Sequence, residues 1–308
     1  MSTDLKDAST QAAIDAANAE FWNELCGSNM AQEYGITDHS LASLERFDSV
    51  FFAYYPYLLP LVRPERMRGK SVLEIGLGYG SLGQKLAEFA DYTGLDIAAN
   101  PMKMMNTRLQ MRGLSGKAVQ GNALAMPFPD QSFDHVISIG CFHHTGNIQR
   151  CIDETYRVLK PNGSAIIMVY NKFSYRQWFK WPRSTCKAFF KEFFRLFSPH
   201  RGATEEAAAA DANSQGHAAP ETSFLSKKDL KHALQRFHSL RFYKRNWGHI
   251  HIETGVKPFL PLPRRVKNKL VSYLPKHNFR HNVMPILAPL LGLDLYVEAQ
   301  KPAAARAA

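Results

Sequence analysis

An acid and three alternating glycines, Glu74, Gly76, Gly78 and Gly80, stand in the stretch SVLEIGLGYGS. An apolar run that ends in glycines and continues with helical spacing reads as a strand, a tight turn and a helix. Such a turn brings backbone N–H groups close to a ligand at the C-terminal edge of a parallel sheet. A dinucleotide fingerprint wants its third glycine at position 81, which is Ser81 here. The acid-x-G-x-G-x-G spacing suits a cofactor with an amino-acid end and a ribose but no pyrophosphate, with Glu74 near its ammonium. Asp96 follows Gly76 by 20 residues, the distance at which a carboxylate ending the second strand takes ribose hydroxyls in charge-assisted hydrogen bonds. His143 and His144 follow the apolar run Phe133–Ile139; such a pair reads first as shaping the loop after that strand and second as a general base, for which a neutral histidine at about pH 7 is suited and His143 is preferred.

These groups need a scaffold, and the flanking sequence supplies one. Strands are expected at Ser71–Ile75, Tyr92–Asp96, Lys117–Gly121, Phe133–Ile139 and Ser164–Tyr170, with helices at Leu82–Ala90, Met102–Arg112 and Gln149–Leu159. Strands alternating with helices predict a doubly wound parallel sheet. Ser9–Leu25 has the spacing of an amphipathic helix that stops at Gly27. Phe51–Val62 is an aromatic run cut by Pro56 and Pro60; Tyr54, Tyr55 and Tyr57 read first as packing residues and second as acceptor contacts. Beyond Tyr170, Ser226–Asp229 resembles a capped helix start, and Leu240–Trp247 and Leu293–Lys301 read as strands. Residues 202–222 read as a mobile loop, and residues 248–290 carry no assignable pattern.

The 308 residues suffice for one large α/β core with a cover. Cys26, Cys141, Cys151 and Cys186 form no C-x-x-C pair and read as free thiols. The N-terminal stretch lacks the pattern of a signal peptide, and no apolar run is long enough to span a bilayer; Pro285, Pro289 and Asp294 interrupt the best candidate, Val283–Val297. A cytoplasmic location is expected. Charge is uneven: residues 1–171 hold 14 Lys and Arg against 18 Asp and Glu, residues 172–308 hold 24 against 9. The basic half is free to face an anionic substrate, a membrane surface or nucleic acid. No spaced Cys, His and acid set predicts a metal, His249 and His251 included, and no RNA-binding module is visible. Phe189, Phe190, Phe193, Phe194 and Phe197 share one helical face and Lys187, Lys191 and Arg195 another. The favoured reading is the buried side of a cap helix; the alternative is a helix lying on a membrane surface.

LEIGLGYG, the LD that ends the second strand, GNALAMPFPDQSFDHVIS, FHHT and YRVLKPNGSAIIMVYN occur in the order found in class I S-adenosylmethionine-dependent methyltransferases. Residues 70–172 resemble that family, especially its ubiquinone and small-molecule branch. The resemblance implies a Rossmann-like, doubly wound, seven-stranded α/β sheet at about residues 65–172, completed by 224–308, with helical cover segments at 1–64 and an inserted cap at 173–223. It implies S-adenosylmethionine as cofactor. Gly76, Gly78 and Gly80 would admit its methionine and ribose, Asp96 would hold the ribose, Ile97 would pack near the adenine, and Asn122 and Ala123 would reach the adenine edge. Ile139 would border the sulfonium. The family commonly carries aspartate where this chain has Asn122, and Tyr79 is bulkier than the residue often found there. The acceptor is expected to be a small molecule with an apolar part, and an acidic group would meet the basic residues. Two rivals are a methyltransferase acting on RNA or protein, and a non-catalytic cofactor-binding partner subunit.

Overall fold

The computed structural model describes residues 8–25, 31, 34–36, 38, 40–194, 200–201, 210–213, 216–246 and 289–304. Cys26, Gly27, Phe197, Trp247, His249, His251 and the basic stretch 257–280 lie outside the described residues, as do 202–209 and 214–215.

In chain order the elements are α1 (Ala8–Leu25), α2 (Leu41–Tyr54), α3 (Leu58–Val62), β1 (Ser71–Ile75), α4 (Ser81–Ala87), β2 (Asp91–Asp96), α5 (Ala99–Arg112), β3 (Lys117–Gln120) and β4 (Phe133–Ile139). They continue with α6 (Ile148–Val158), β5 (Leu159–Tyr170), α7 (Tyr175–Lys180), α8 (Pro182–Phe193), β6 (His200–Arg201), β7 (Ser223–Phe224), α9 (Lys227–Ala233), β8 (His238–Arg245) and β9 (Asp294–Gln300). Seven strands form one sheet in the order β3-β2-β1-β4-β5-β9-β8. β1 to β5 are parallel, and β9 runs antiparallel to both β5 and β8. The sheet is the Rossmann-like α/β architecture that the strand–helix alternation anticipated.

Alternating side chains divide the core between the two sheet faces. Leu73, Ile75, Val136, Ile167 and Val169 pack with Ile152 and Leu230 on one face. Val72, Ile137, Ile166 and Tyr296 pack with Leu58, Leu86 and Met105 on the other. Local chemistry fixes the helix ends. Asn147 caps α6 by accepting from the Arg150 N–H at 3.1 Å. Ser226 and Asp229 form a reciprocal capping box on α9, with bonds of 3.1 and 2.9 Å. Pro60 sits in the first turn of α3, where its missing N–H leaves no helical bond unmade.

Three expectations need correction. The helix after the glycine turn ends at Ala87, not Ala90. The strand expected from Ser164 begins at Leu159 and takes in Lys160–Gly163, with Asn162 at φ 63 where the β4–β5 register shifts. The phenylalanine face of α8 is not buried: Thr185, Ala188 and Glu192 face the protein body, while Phe189, Phe190, Phe193 and Phe194 are 46% to 70% exposed.

Candidate active site

The parallel strand order reverses between β1 and β4, and ligands of open α/β sheets bind beyond the strand ends at such a point. A cavity of about 340 Å³ lies there, with Glu74, Gly76 and Gly78 at the C-terminal end of β1 and beyond, Asp96 and Ile97 at that of β2, Asn122 and Ala123 after β3, and Ile139 at the end of β4 on its wall. The backbone is left-handed at Gly78, φ 51, and a Cβ placed there meets no atom of the described residues within 4 Å. That direction is free for a ligand and strained for any L side chain. Gly76 differs, because a Cβ there would lie 2.6 Å from the Cβ of Cys141. Gly80 is not on the cavity wall; it closes the turn against the Arg108 side chain.

Asp96 is fixed by two backbone donors, the N–H groups of Leu77 at 2.8 Å and Ala98 at 2.9 Å. A carboxylate has about four acceptor sites, so two donors leave capacity for a ribose diol. Burial pushes its carboxyl up to about 6, against the pull of the backbone donors. Glu74 is buried and accepts the Tyr92 hydroxyl at 2.5 Å. Burial raises its carboxyl to about 8, and an ammonium bound beside it would favour the ionised form. The open Gly78 cradle and these two carboxyls fit a cofactor with a ribose and an amino-acid end.

Asn122 behaves differently from the expected adenine-edge contact. Its amide donates to Oδ2 of Asp15 at 2.6 Å, and its oxygen accepts from the Leu124 N–H at 2.9 Å. An aspartate at 122 could not donate to Asp15. The departure from the family pattern therefore ties α1 to the loop after β3. α1 is held over the cavity by further polar bonds, from Gln11 to the Thr145 carbonyl at 2.9 Å and from Asn18 to the His144 carbonyl at 2.7 Å. Asp15, Asn18 and Trp22 form part of the wall.

The two histidines separate. His143 is 1% exposed, is not on the cavity wall, and packs its ring 4.1 Å from those of His144 and Tyr170. Neither of its ring nitrogens has a hydrogen-bond partner, and burial holds it well below the usual imidazole range, hence neutral. His144 does reach the wall. Its Nδ1 lies 2.7 Å from the Glu221 carbonyl, which can only accept, so Nδ1 carries a proton. Its Nε2 then stands 3.4 Å from Oδ2 of Asp211, which also accepts the Tyr170 hydroxyl at 2.6 Å. Burial raises the Asp211 carboxyl, but the His144 and Tyr170 contacts outweigh it and hold it below the ordinary range.

A second cavity of about 180 Å³ shares Tyr55, Met168 and Tyr170 with the first. Arg176, Gln177, Asp211 and Asp294 bring polar groups to it. Asp294 accepts from the Tyr57 hydroxyl at 3.1 Å and the Asn246 amide at 3.4 Å, and burial raises its carboxyl to about 7. Gln177 is 2% exposed, and its amide nitrogen has no partner. Sequence reasoning missed Asp211 altogether and met Asp294 only as a charge that interrupts an apolar run. Arg108 was also missed. It is fully buried, donates to the Tyr79 carbonyl at 2.7 Å, and clamps Asp48 with bonds of 2.8 and 2.9 Å. No local pattern marks it, because its partners lie 29 and 60 residues away.

The middle of the chain is similar to known proteins. Residues 73–167 match the family described as "Methyltransferase domain". Over 100 residues the chain is 37% identical to the fatty-acid O-methyltransferase of Mycolicibacterium smegmatis, covering 32% of this chain and 36% of that protein. Over 112 residues it is 37% identical to the ubiquinone/menaquinone biosynthesis C-methyltransferase of Citrobacter koseri, covering 34% and 44% respectively. The match thus spans less than half the length of either relative. The fold is similar to that of a solved S-adenosylmethionine-dependent methyltransferase from Methanosarcina mazei, with TM-score 0.50, 17% identity, and coverage of 79% of this chain and 98% of that one.

Proposed function

We propose that this chain, whose residues 73–167 are a class I S-adenosylmethionine-dependent methyltransferase domain, methylates a small molecule seated in the second cavity. The observation that carries this reading is that the two cavities adjoin, with Tyr55, Met168 and Tyr170 on the wall of both. S-adenosylmethionine, when bound, supplies a methyl group on a sulfonium leaving group. Gly78 and Asp96 would hold it by its backbone-facing side and its ribose, and Glu74 by its ammonium. The chain's remaining task is to seat the acceptor in line and to exclude water, which accounts for much of the acceleration in such displacements.

The second cavity offers both acceptors and donors. The carboxylates of Asp211 and Asp294 accept and the Arg176 guanidinium and Gln177 amide donate, so a hydroxyl or an amine at the acceptor's polar end would find a carboxylate to donate to. Tyr55 and Tyr170 receive an apolar body beside it. His144 is the proton acceptor in this reading. A proton taken at Nε2, which stands 3.4 Å from Oδ2 of Asp211, would meet an oxygen that can accept it in a hydrogen bond. His143 would shape the loop without touching substrate. The similarities to a fatty-acid O-methyltransferase and a quinone C-methyltransferase favour a small acceptor with a large apolar part.

The test is transfer of a labelled methyl group from S-adenosylmethionine into the low-molecular-weight fraction of a cell extract. The native protein is expected to label a small molecule, and Gly78→Val to label none. Label appearing only in RNA or protein, or no label despite cofactor binding by calorimetry, overturns the reading.

A further inference from the structure

We infer that the α7–α8 hairpin is a docking face for an anionic lipid surface. Phe179, Phe189, Phe190, Phe193 and Phe194 are 74%, 46%, 59%, 68% and 70% exposed. They are five of the eight large apolar side chains exposed among the described residues, and all fall within one hairpin. Solvent exposure of this many rings in one place marks a binding surface.

The charges around the rings identify the occupant. Lys180, Arg183, Lys187 and Lys191 are exposed on the same two helices. Glu192 is the one acid between Tyr175 and Phe194; it is buried, with its carboxylate 3.5 Å from the Lys172 ammonium. The exposed charge of the hairpin is therefore of one sign. Phe189 and Phe193 stand four residues apart on one flank of α8, Lys187 and Lys191 four apart on the other, with Phe190 and Phe194 between them. A helix lying in a headgroup layer needs this arrangement: rings enter the acyl boundary while ammonium groups stay with lipid phosphates. A protein-binding core would be depleted in lysine. At 12 residues α8 is far too short to span a bilayer, so the hairpin lies on the surface.

The position of the hairpin gives docking a use. Arg176 and Gln177, in the first turn of α7, line the second cavity, while Phe179 and Lys180, in its last turn, face outward. Docking would place the acceptor cavity beside the lipid, a route for an amphiphilic acceptor. This last step rests on the acceptor reading above; the docking itself does not.

The test is co-sedimentation of the full chain with vesicles of phosphatidylcholine alone and with vesicles of equal parts phosphatidylcholine and phosphatidylglycerol, run beside light scattering without lipid. Binding to the mixed vesicles is expected, about tenfold stronger than to the neutral ones and weakened by salt. Phe190→Ser with Phe194→Ser should reduce it by about tenfold or more, as should Lys187→Glu with Lys191→Glu. All four side chains are exposed, so cofactor binding by calorimetry should be unchanged in both variants. Failure to bind the mixed vesicles, or equal binding by native protein and variants, overturns the inference. So does a dimer in the absence of lipid that Phe190→Ser with Phe194→Ser converts to monomer, since the rings would then be a self-interface. None of these outcomes depends on methyl transfer, so docking can fail while the methyltransferase reading stands, and the reverse.

Discussion

Gly78 is the residue at which the site is most sensitive to a single side chain. Its left-handed φ of 51 and the open space before its Cβ position mean that Gly78→Val projects into the cofactor cavity without meeting protein. The variant is expected to keep its fold, apart from the strain at one residue, and to lose S-adenosylmethionine binding in calorimetry; unchanged affinity would remove the glycine turn from the site. Asp96 offers a pH test. Its carboxyl is raised to about 6 in the folded chain, so the ionised form that accepts ribose hydroxyls is lost as pH falls through that value. In a Glu74→Gln background, which removes the other buried carboxyl of the pocket, cofactor affinity should be flat above about pH 7 and fall below about pH 6. Asp96→Ala should weaken binding by about 2–3 kcal/mol, the scale of a lost charge-assisted hydrogen bond, and should abolish the pH dependence. A variant that keeps the native profile would place the ribose elsewhere.

At the scale of elements, two contacts hold the site together. The Asp15–Asn122 bond of 2.6 Å ties α1 to the loop after β3. Asn122→Asp would set two carboxylates against each other, and faster hydrogen exchange is expected in α1. Asp15→Asn added to it restores a donor and should return most of the protection; no recovery in the double variant would mean that the pair does not hold α1. Arg108 joins α5 to α2 through Asp48 and to the glycine turn through the Tyr79 carbonyl. Arg108→Met leaves Asp48 without its partner in the interior, so urea unfolding should show a loss of about 3–5 kcal/mol. A loss below about 1 kcal/mol would show that the clamp contributes little. Asp48→Leu added to Arg108→Met should recover part of the loss by removing the stranded charge.

On the scale of the whole molecule, a parallel sheet is completed by two antiparallel strands drawn from the far end of the chain. β9 lies between β5 and β8 and pairs with both. Leu295, Val297 and Ala299 enter one core and Tyr296 the other. A chain ending at Leu293 would leave β5 as an edge and β8 without a neighbour, so it should show no cooperative thermal transition. A normal melt would make the C-terminal strand dispensable. The same arrangement brings Asp294, at the head of β9, to the strand ends where Tyr170 and Asp96 lie, and so builds the second cavity from residues more than a hundred positions apart.

The sequence by itself determined the elements that depend on near neighbours. Apolar runs placed β1, β2 and β4 to within a residue, and Ser226 and Asp229 signalled a helix cap that forms as read. Asp96 was legible because the turn and the end of β2 are neighbours in this topology, at a fixed distance along the chain. Other features were decided only by packing between distant segments. Nothing near His143 or His144 in the chain shows which of them turns toward the cavity; Tyr170, Asp211 and Glu221 decide that from elsewhere. The partners of Arg108, the redirection of Asn122 toward Asp15, and the outward turn of the α8 phenylalanines have the same origin. Helical spacing specifies which side chains share a face, but only the surrounding fold decides whether that face meets the core or solvent.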